Sequence, residues 1–340
     1  MANRGAKYHM GAKRVTQHRI FDLAITLFII AILSTLRAKL LPVGDESIAN
    51  TPTPIGIWLQ NLQERIPTLS AIVWCISVMF AGLSIGRHAA KYSIYPAYTL
   101  MAIPILGVMA AAVIVSGDYL VSCAVLLLML HATKYLHRCM MRTKSFSDLS
   151  LAMLCYGMIP LVFAPAALLY VTLPILVLTL YNSWRNWVVA VSSLVFPLLS
   201  VSYWGWCAGE GFLSAAELIY NSLLAHSEFH LFSTLNPASI LLLGVVILMI
   251  MCAVSLIFSD RYSLKVNSRA VMRYTSLLLA VCIALFFLPS STATTFAMIS
   301  VPVAVLVPLI FVRMGMGFTE TLYRLMLLAA AANIIAMCWM

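Results

Sequence analysis

The sequence predicts an all-α fold, a polytopic transmembrane bundle of about eleven spans. Three observations predict it. Of 340 residues, 63% are hydrophobic and 9% charged, against roughly a quarter charged in a soluble domain. The apolar residues fall into runs near the ~20 residues that a helix needs to cross a bilayer core. The basic residues collect in every second gap between those runs. Runs this apolar are read as helices, because a lone strand cannot satisfy its backbone in lipid.

The chain opens with a basic segment, residues 1–19, "MANRGAKYHMGAKRVTQHR", read as cytoplasmic. The run after it has no small-residue cleavage site, so it reads as an uncleaved first span. Residues 20–340 then form a single transmembrane domain. Its runs lie at 20–38, 68–86, 95–115, 119–136, 149–163, 166–182, 187–207, 238–259, 274–290, 295–312 and 322–340. The pair 149–163 and 166–182 is short, and Pro165 in "LVFAPAALLY" predicts a tight hairpin between them. Pro104, Pro160, Pro174, Pro197, Pro302 and Pro308 predict kinks, and kinked bundles enclose cavities.

With the N-terminus in the cytoplasm, 18 of the 21 Lys and Arg residues fall inside. Arg37, Lys39 and Arg65 fall outside. This is the asymmetry that the positive-inside rule describes. The net charge of +10 therefore reports orientation and contact with anionic membrane lipids. It does not predict nucleic-acid binding, because no basic stretch is long enough to form a groove-sized patch. The eight cysteines form no CxxC pair and lie mostly in apolar runs, where a thiol behaves as a small hydrophobe. That pattern argues against a zinc or disulfide framework. Nucleotide and hydrolase fingerprints are missing. So are internal repeats and the inverted broken segments of many transporters. The spans contain almost no acids, which argues against a proton or sodium relay.

Two extracytoplasmic loops, 41–67 and 208–237, are long enough to hold structure. In the first, Pro54 can open a helix. Ile55, Trp58, Leu59, Leu62 and Ile66 recur at helical spacing, and Gln60, Gln63, Glu64 and Arg65 are expected to face away. This predicts an interfacial helix with its Trp at head-group depth. Residues 212–232 repeat the pattern. Two such helices on one side can roof a cavity between the spans.

The candidate chemistry begins with Asp45 and Glu46 in the first loop. A carboxylate at the membrane edge can serve as a general base or hold a divalent cation beside a lipid-linked phosphate. It can equally be a solvated loop acid, and spacing alone leaves both readings open. His226, Glu228 and His230 read "HSEFH". On a helix, His226 and His230 share a face and can share a metal, or they are polar residues near a helix end. His131, Lys134 and Arg138 recur at helical spacing at the inner end of the fourth span. They fit lipid-phosphate contact or snorkelling to the interface. Trp184, Arg185 and Trp187 read as an aromatic-and-basic anchor on the cytoplasmic side. Asn182, Asn236 and Asn333 read as amides bonding a helix end or a neighbouring helix.

Residues 131–200 run from "HRCMMRTKSFSD" through "YGMIPLVFAPAALLY" to "LYNSWRNWVVAVSSLVFPLL". This stretch resembles a family of bacterial polytopic inner-membrane proteins known only as a domain of unknown function. The likeness extends loosely over most of the chain. A second resemblance lies in the order of first span, outside acid pair, interfacial helix and second span. That order is similar to the GT-C class of membrane glycosyltransferases, which take a sugar from a polyprenyl-phosphate carrier on the extracytoplasmic side. The resemblance implies that Asp45, or Glu46 beside it, is the base or metal contact. It also implies that Arg37, Lys39 or Arg65 neutralises the lipid phosphate. The chain departs from that class in having no large C-terminal soluble domain and no clear acceptor-site motif in its second outside loop. Three functions remain open on the sequence: envelope-assembly chemistry on lipid-linked sugars, transport or lipid flipping, and a scaffold that binds partner membrane proteins.

Overall fold

A computed structural model of the chain describes residues 52–95, 99, 101–113, 117–141, 145–179, 183–227, 229, 235–259 and 266–339. Among them the regular structure is helical throughout. Among the described residues, six helical segments are long and apolar enough to cross a membrane: Pro67–Lys91, Tyr119–Met141, Trp184–Cys207, Pro237–Ser259, Val266–Phe287 and Thr294–Arg313.

Helix α1 (Pro54–Arg65) begins where predicted. Pro54 occupies the first turn, and Thr53 caps it by accepting from Gly56 N at 3.2 Å. Ile66 interrupts the ladder and Pro67 opens α2 (Pro67–Lys91). The run expected as one span over 95–115 contains α3 (Ala102–Gly107), which widens into a π turn over Val108–Ala112. Then come α4 (Tyr119–Met141) and α5 (Phe146–Val162).

The hairpin expected at Pro165 is built differently from two α-helices. A 3₁₀ segment, Ala164–Val171, follows α5 and hands over to a short α6 (Thr172–Thr179). Pro165 and Pro174 each remove an amide donor from the i→i−4 ladder, and the chain between them tightens into i→i+3 bonding. The remaining elements are α7 (Trp184–Cys207), α8 (Ser214–Leu224), α9 (Pro237–Ser259), α10 (Val266–Ala284), α11 (Thr294–Leu306), α12 (Pro308–Arg313) and α13 (Met316–Trp339). Pro308 divides the 295–312 run into α11 and α12. Helix α13 starts before the predicted run and carries an exposed Glu320–Arg324 pair at 2.6 Å, one turn apart.

Every residue of α11 from Thr294 to Leu306 is buried. Its side chains are apolar apart from Thr294, Thr295 and Ser300. It packs against α2, α3, α4, α9 and α10. Small residues let the other helices close around it. A Cβ on Gly82 of α2 would stand 2.9 Å from Ile103 Cα. Helices α5 and α7 approach still closer, since a Cβ on Gly157 would lie 2.2 Å from the Leu194 carbonyl oxygen. The Cα–H of Gly157 therefore faces that carbonyl, a weak but recurrent helix–helix contact. Ser150 and Ser193 hydroxyls meet at 2.8 Å across the same seam.

Hydrogen bonds gather the turns into two groups. The Thr53 hydroxyl donates to Val162 O at 2.9 Å, at the end of α5. Ser222 of α8 donates to Pro52 O. Gln63 bonds the 117–120 turn, and Ser227 N donates to Pro289 O at 2.9 Å. These are the turns that the charge pattern assigns to one side. The second group joins Ser268 to Ser93 O at 3.4 Å, Asn267 to Met141 O at 3.5 Å, and Arg138 to Asp148 at 3.1 Å. Those are the turns assigned to the other side.

The Gly157–Leu194 contact is backbone on backbone, so no rotamer relieves it. Gly157→Ala is expected to lower the thermal unfolding midpoint of the detergent-purified protein, at a cost of about 1–3 kcal/mol. Gly244→Ala in α9, where an added Cβ meets nothing within 4 Å, is the matched control and leaves the midpoint unchanged or higher.

Candidate functional site

The first group of turns forms a cap. Helix α1 lies across the ends of α4 and α5 and touches α8. Its inward face differs from the predicted one. Gln63 was expected to point away with Gln60, Glu64 and Arg65, yet it is 1% exposed. Its Nε2 donates to Gly117 O at 2.7 Å, and its Oε1 accepts from Leu120 N at 3.0 Å. The reason is an orphan amide. Leu120 lies in the first turn of α4, where N–H groups have no helical partner. A primary amide supplies both the acceptor it needs and a donor for the turn carbonyl. Trp58, by contrast, projects outward and is exposed.

Around this cap the polar side chains are buried. Asp118, Ser122, Ser227, Ser290, Ser291, Thr292, Thr294 and Thr295 are all inaccessible. The Ser122 hydroxyl donates to Thr294 Oγ1 at 3.4 Å. Ser227 donates to Pro289 O at 3.1 Å and to Ser291 O. The segment "SSTATT", read from sequence as a short outside turn, is thus buried and rich in hydroxyls. Ser290 Oγ and Thr295 Oγ1 are buried without a hydrogen-bond partner.

Asp45, Glu46, Arg37 and Lys39 lie outside the described residues, as do Glu228 and His230. Arg65 sits in the last turn of α1, exposed to the surroundings. Helix α8 ends at Leu224, with Ala225 extended. His226 is therefore beyond the helix, on an exposed coil, and the argument from helical spacing does not reach it. Among the described residues, no group of three or more His, Cys, Asp or Glu side chains is arranged to hold a metal.

The second group of turns carries the basic residues. Asp148 is almost fully buried and takes Arg138 at 3.1 Å. Ser145 caps α5 by accepting from Asp148 N at 3.4 Å, and its hydroxyl donates to Asp148 Oδ2 at 2.7 Å. The carboxylate thus sits at a helix N-terminus, where the backbone dipole favours it. The Arg185 guanidinium lies 4.5 Å over the Phe146 ring. His131 is bonded within its own helix, to Leu127 O at 2.8 Å. Lys134 turns to α2 and donates to Ser84 Oγ at 2.8 Å.

Sequence reasoning missed two residues here, His88 and His137. Their rings face each other across α2 and α4, with centroids 5.8 Å apart. His137 Nε2 lies 3.2 Å from Thr275 Oγ1. The Thr275 hydroxyl already donates to Val271 O at 2.8 Å, so His137 must be the donor, through its Nε2–H. Thr133, one turn before His137, lies toward Tyr156, whose hydroxyl faces Tyr274 without a well-formed bond. Tyr274 in turn meets Thr172 at 3.4 Å.

Comparison with known proteins finds no matching family model, no matching curated protein and no matching solved structure.

The Arg138–Asp148 pair yields a test of its own. Arg138→Met strands a buried carboxylate and is expected to destabilise the protein by several kcal/mol. Adding Asp148→Leu removes the stranded charge and should recover most of that loss in thermal unfolding.

Proposed function

We propose that the chain is an eleven-span protein of a bacterial inner membrane, with a cytoplasmic N-terminus, that handles lipid-linked sugars in envelope assembly by GT-C-like transfer from a polyprenyl-phosphate carrier. The observation that carries this reading is the cap. Helices α1 and α8, both expected at the extracytoplasmic interface, are joined through Pro52 and Ser222. Each leads to a buried, hydroxyl-rich turn: Ser227, three residues past α8, bonds Pro289 O and Ser291 O, and Ser122, two residues past the Leu120 that Gln63 serves, bonds Thr294. In the sequence, Asp45 and Glu46 stand seven and six residues before Pro52.

Two further features support the membrane orientation. At 1.5 Å per residue, Trp184 and Trp204 of α7 stand about 30 Å apart along the axis, the thickness of a hydrocarbon core. Both are highly exposed, as belts at two interfaces would be. The turns assigned to the cytoplasm by charge are bonded to one another, as are those assigned to the outside.

In the proposed reaction, Asp45 or Glu46 acts as general base or metal contact, with a divalent cation as the associated cofactor. Arg37, Lys39 or Arg65 neutralises the carrier phosphate. A second reading, transport or lipid flipping, draws on two buried polar contacts between helices, His137 with Thr275 and Tyr274 with Thr172. An interior of apolar spans alone would not contain them.

The catalytic reading is tested by Asp45→Ala and Glu46→Ala in a transfer or complementation assay. Loss of the acting carboxylate is expected to lower activity about 10²–10⁴-fold, with expression and membrane insertion unchanged. Full activity in both single variants and in the double variant removes the reading.

A further inference from the structure

Helix α7 is the least covered of the six membrane-length segments. Of its apolar length 17% is buried, against 33% to 89% in the other five. One side packs on α5, and the helix also touches α6 and α8. Another side is bare from end to end. Trp184, Val188, Val191, Val195, Leu199 and Tyr203 recur there at three- and four-residue spacing, and all are exposed. From Trp184 to Leu199 this side walls a groove of about 930 Å³.

The chain itself holds an occupant. Ten of the eleven apolar runs coincide with described helices. The first, residues 20–38, belongs to the 1–51 segment outside the described residues. The other gaps are at most six residues long, too short for a further span. The described chain begins at Pro52, whose carbonyl accepts from Ser222 of α8, and α8 lies against α7. The first segment therefore joins the fold beside α7.

The run and the bare face match in length and charge. A helix of the run's length measures about 28 Å, and the stripe from Trp184 to Tyr203 about 29 Å. Asp22 stands within one turn of the run's inner end, where an acid needs a partner on a neighbouring helix. Arg185 stands in the first turn of α7. Its guanidinium lies over the Phe146 ring, and among the described residues it takes part in no ion pair. Thr26, Ile29, Leu33 and Leu36 follow Asp22 at helical spacing, so a mostly apolar ridge continues from the acid.

We propose that the first span, residues 20–38, packs along the bare face of α7, with Asp22 level with Arg185 and the ridge through Ile29 in the groove. Docked there, the span holds the far end of the loop that bears Asp45 and Glu46 beside α7. The inference rests on the reading of 20–38 as a span. It needs neither sugar transfer nor a particular direction of crossing.

The test is disulfide trapping in native membranes, on the full chain with its own cysteines replaced. Ile29, Val195 of α7 and Leu248 of α9 each lie near the middle of their runs, and Val195 and Leu248 are both exposed. Ile29 is thus level with either partner whichever way the first span crosses, so an error in topology does not alter the result. Ile29→Cys is paired with Val195→Cys, or with Val191→Cys or Leu199→Cys one turn to either side. The best of these pairs is expected to oxidise within one chain on the order of tenfold faster than Ile29→Cys with Leu248→Cys. The disulfide is read as loss of a maleimide–polyethylene glycol mass shift that reduction restores. No disulfide at any of the three α7 positions overturns the proposal and leaves lipid in the groove. Equal rates at α7 and α9 overturn it as well. A covalent dimer in place of the single-chain disulfide also overturns it, and marks a second copy as the occupant.

Discussion

Helix α11 is the constraint around which the fold is arranged. Every residue of it is buried, and five helices pack around it. Its backbone carries two prolines of consequence. Pro302 frees the Met298 carbonyl and Pro308 the Ala304 carbonyl. The break before Pro308 is where Tyr95 reaches in to bond Val305 O. At the other end, Ser122 meets Thr294. The helix is thus fixed at both ends by side chains of the elements that enclose it.

Hydroxyls in this bundle mostly serve their own helices. Ser70, Ser77, Thr133 and Thr275 each donate to a carbonyl four residues back, which spends their protons locally. Bonds between helices are therefore few and specific. Ser77 meets Cys123 at 2.9 Å, and Ser239 donates to Asn333 Oδ1 at 2.7 Å. Against that background, Trp74 Nε1, His88 Nε2, Arg138 Nε, the Tyr156 hydroxyl, Ser290 Oγ and Thr295 Oγ1 stand out among the described residues as buried groups with bonding capacity left. In a low-dielectric interior such groups are costly.

Apolar run length made α2, α4, α7 and α9 legible, with ends displaced by a few residues at most. The displaced ends have a common cause: the runs count hydrophobicity, while helices extend through His88, Lys91 and Arg138 until the ladder is capped. Pro160, Pro197 and Pro302 lie inside continuous helices, and proline positions did not reveal that the segment between Pro165 and Pro174 would be 3₁₀. The amphipathic spacing found α1, yet it misassigned Gln63, because periodicity sorts residues by polarity and cannot see an orphan amide on another helix. Asn333 was read correctly as an amide serving a neighbouring helix. His88 and His137 escaped notice because each lies just past the end of its apolar run and the two are far apart in the sequence. The charge map had already assigned both runs' ends to the same side, and that was the available signal. The proposed catalytic acids were legible only as a pattern of loop, helix and span.

The account's central claim is that the two groups of bonded turns face opposite sides of a membrane. The direct measurement is labelling of single cysteines with a membrane-impermeant maleimide in intact cells, in a background with the native cysteines replaced. Arg65→Cys in α1 and Glu217→Cys in α8 are expected to label from outside. Arg87→Cys and Arg185→Cys are expected to label only after the membrane is opened. Labelling of Arg65→Cys and Arg185→Cys from the same side would contradict the account, whatever the protein's chemistry.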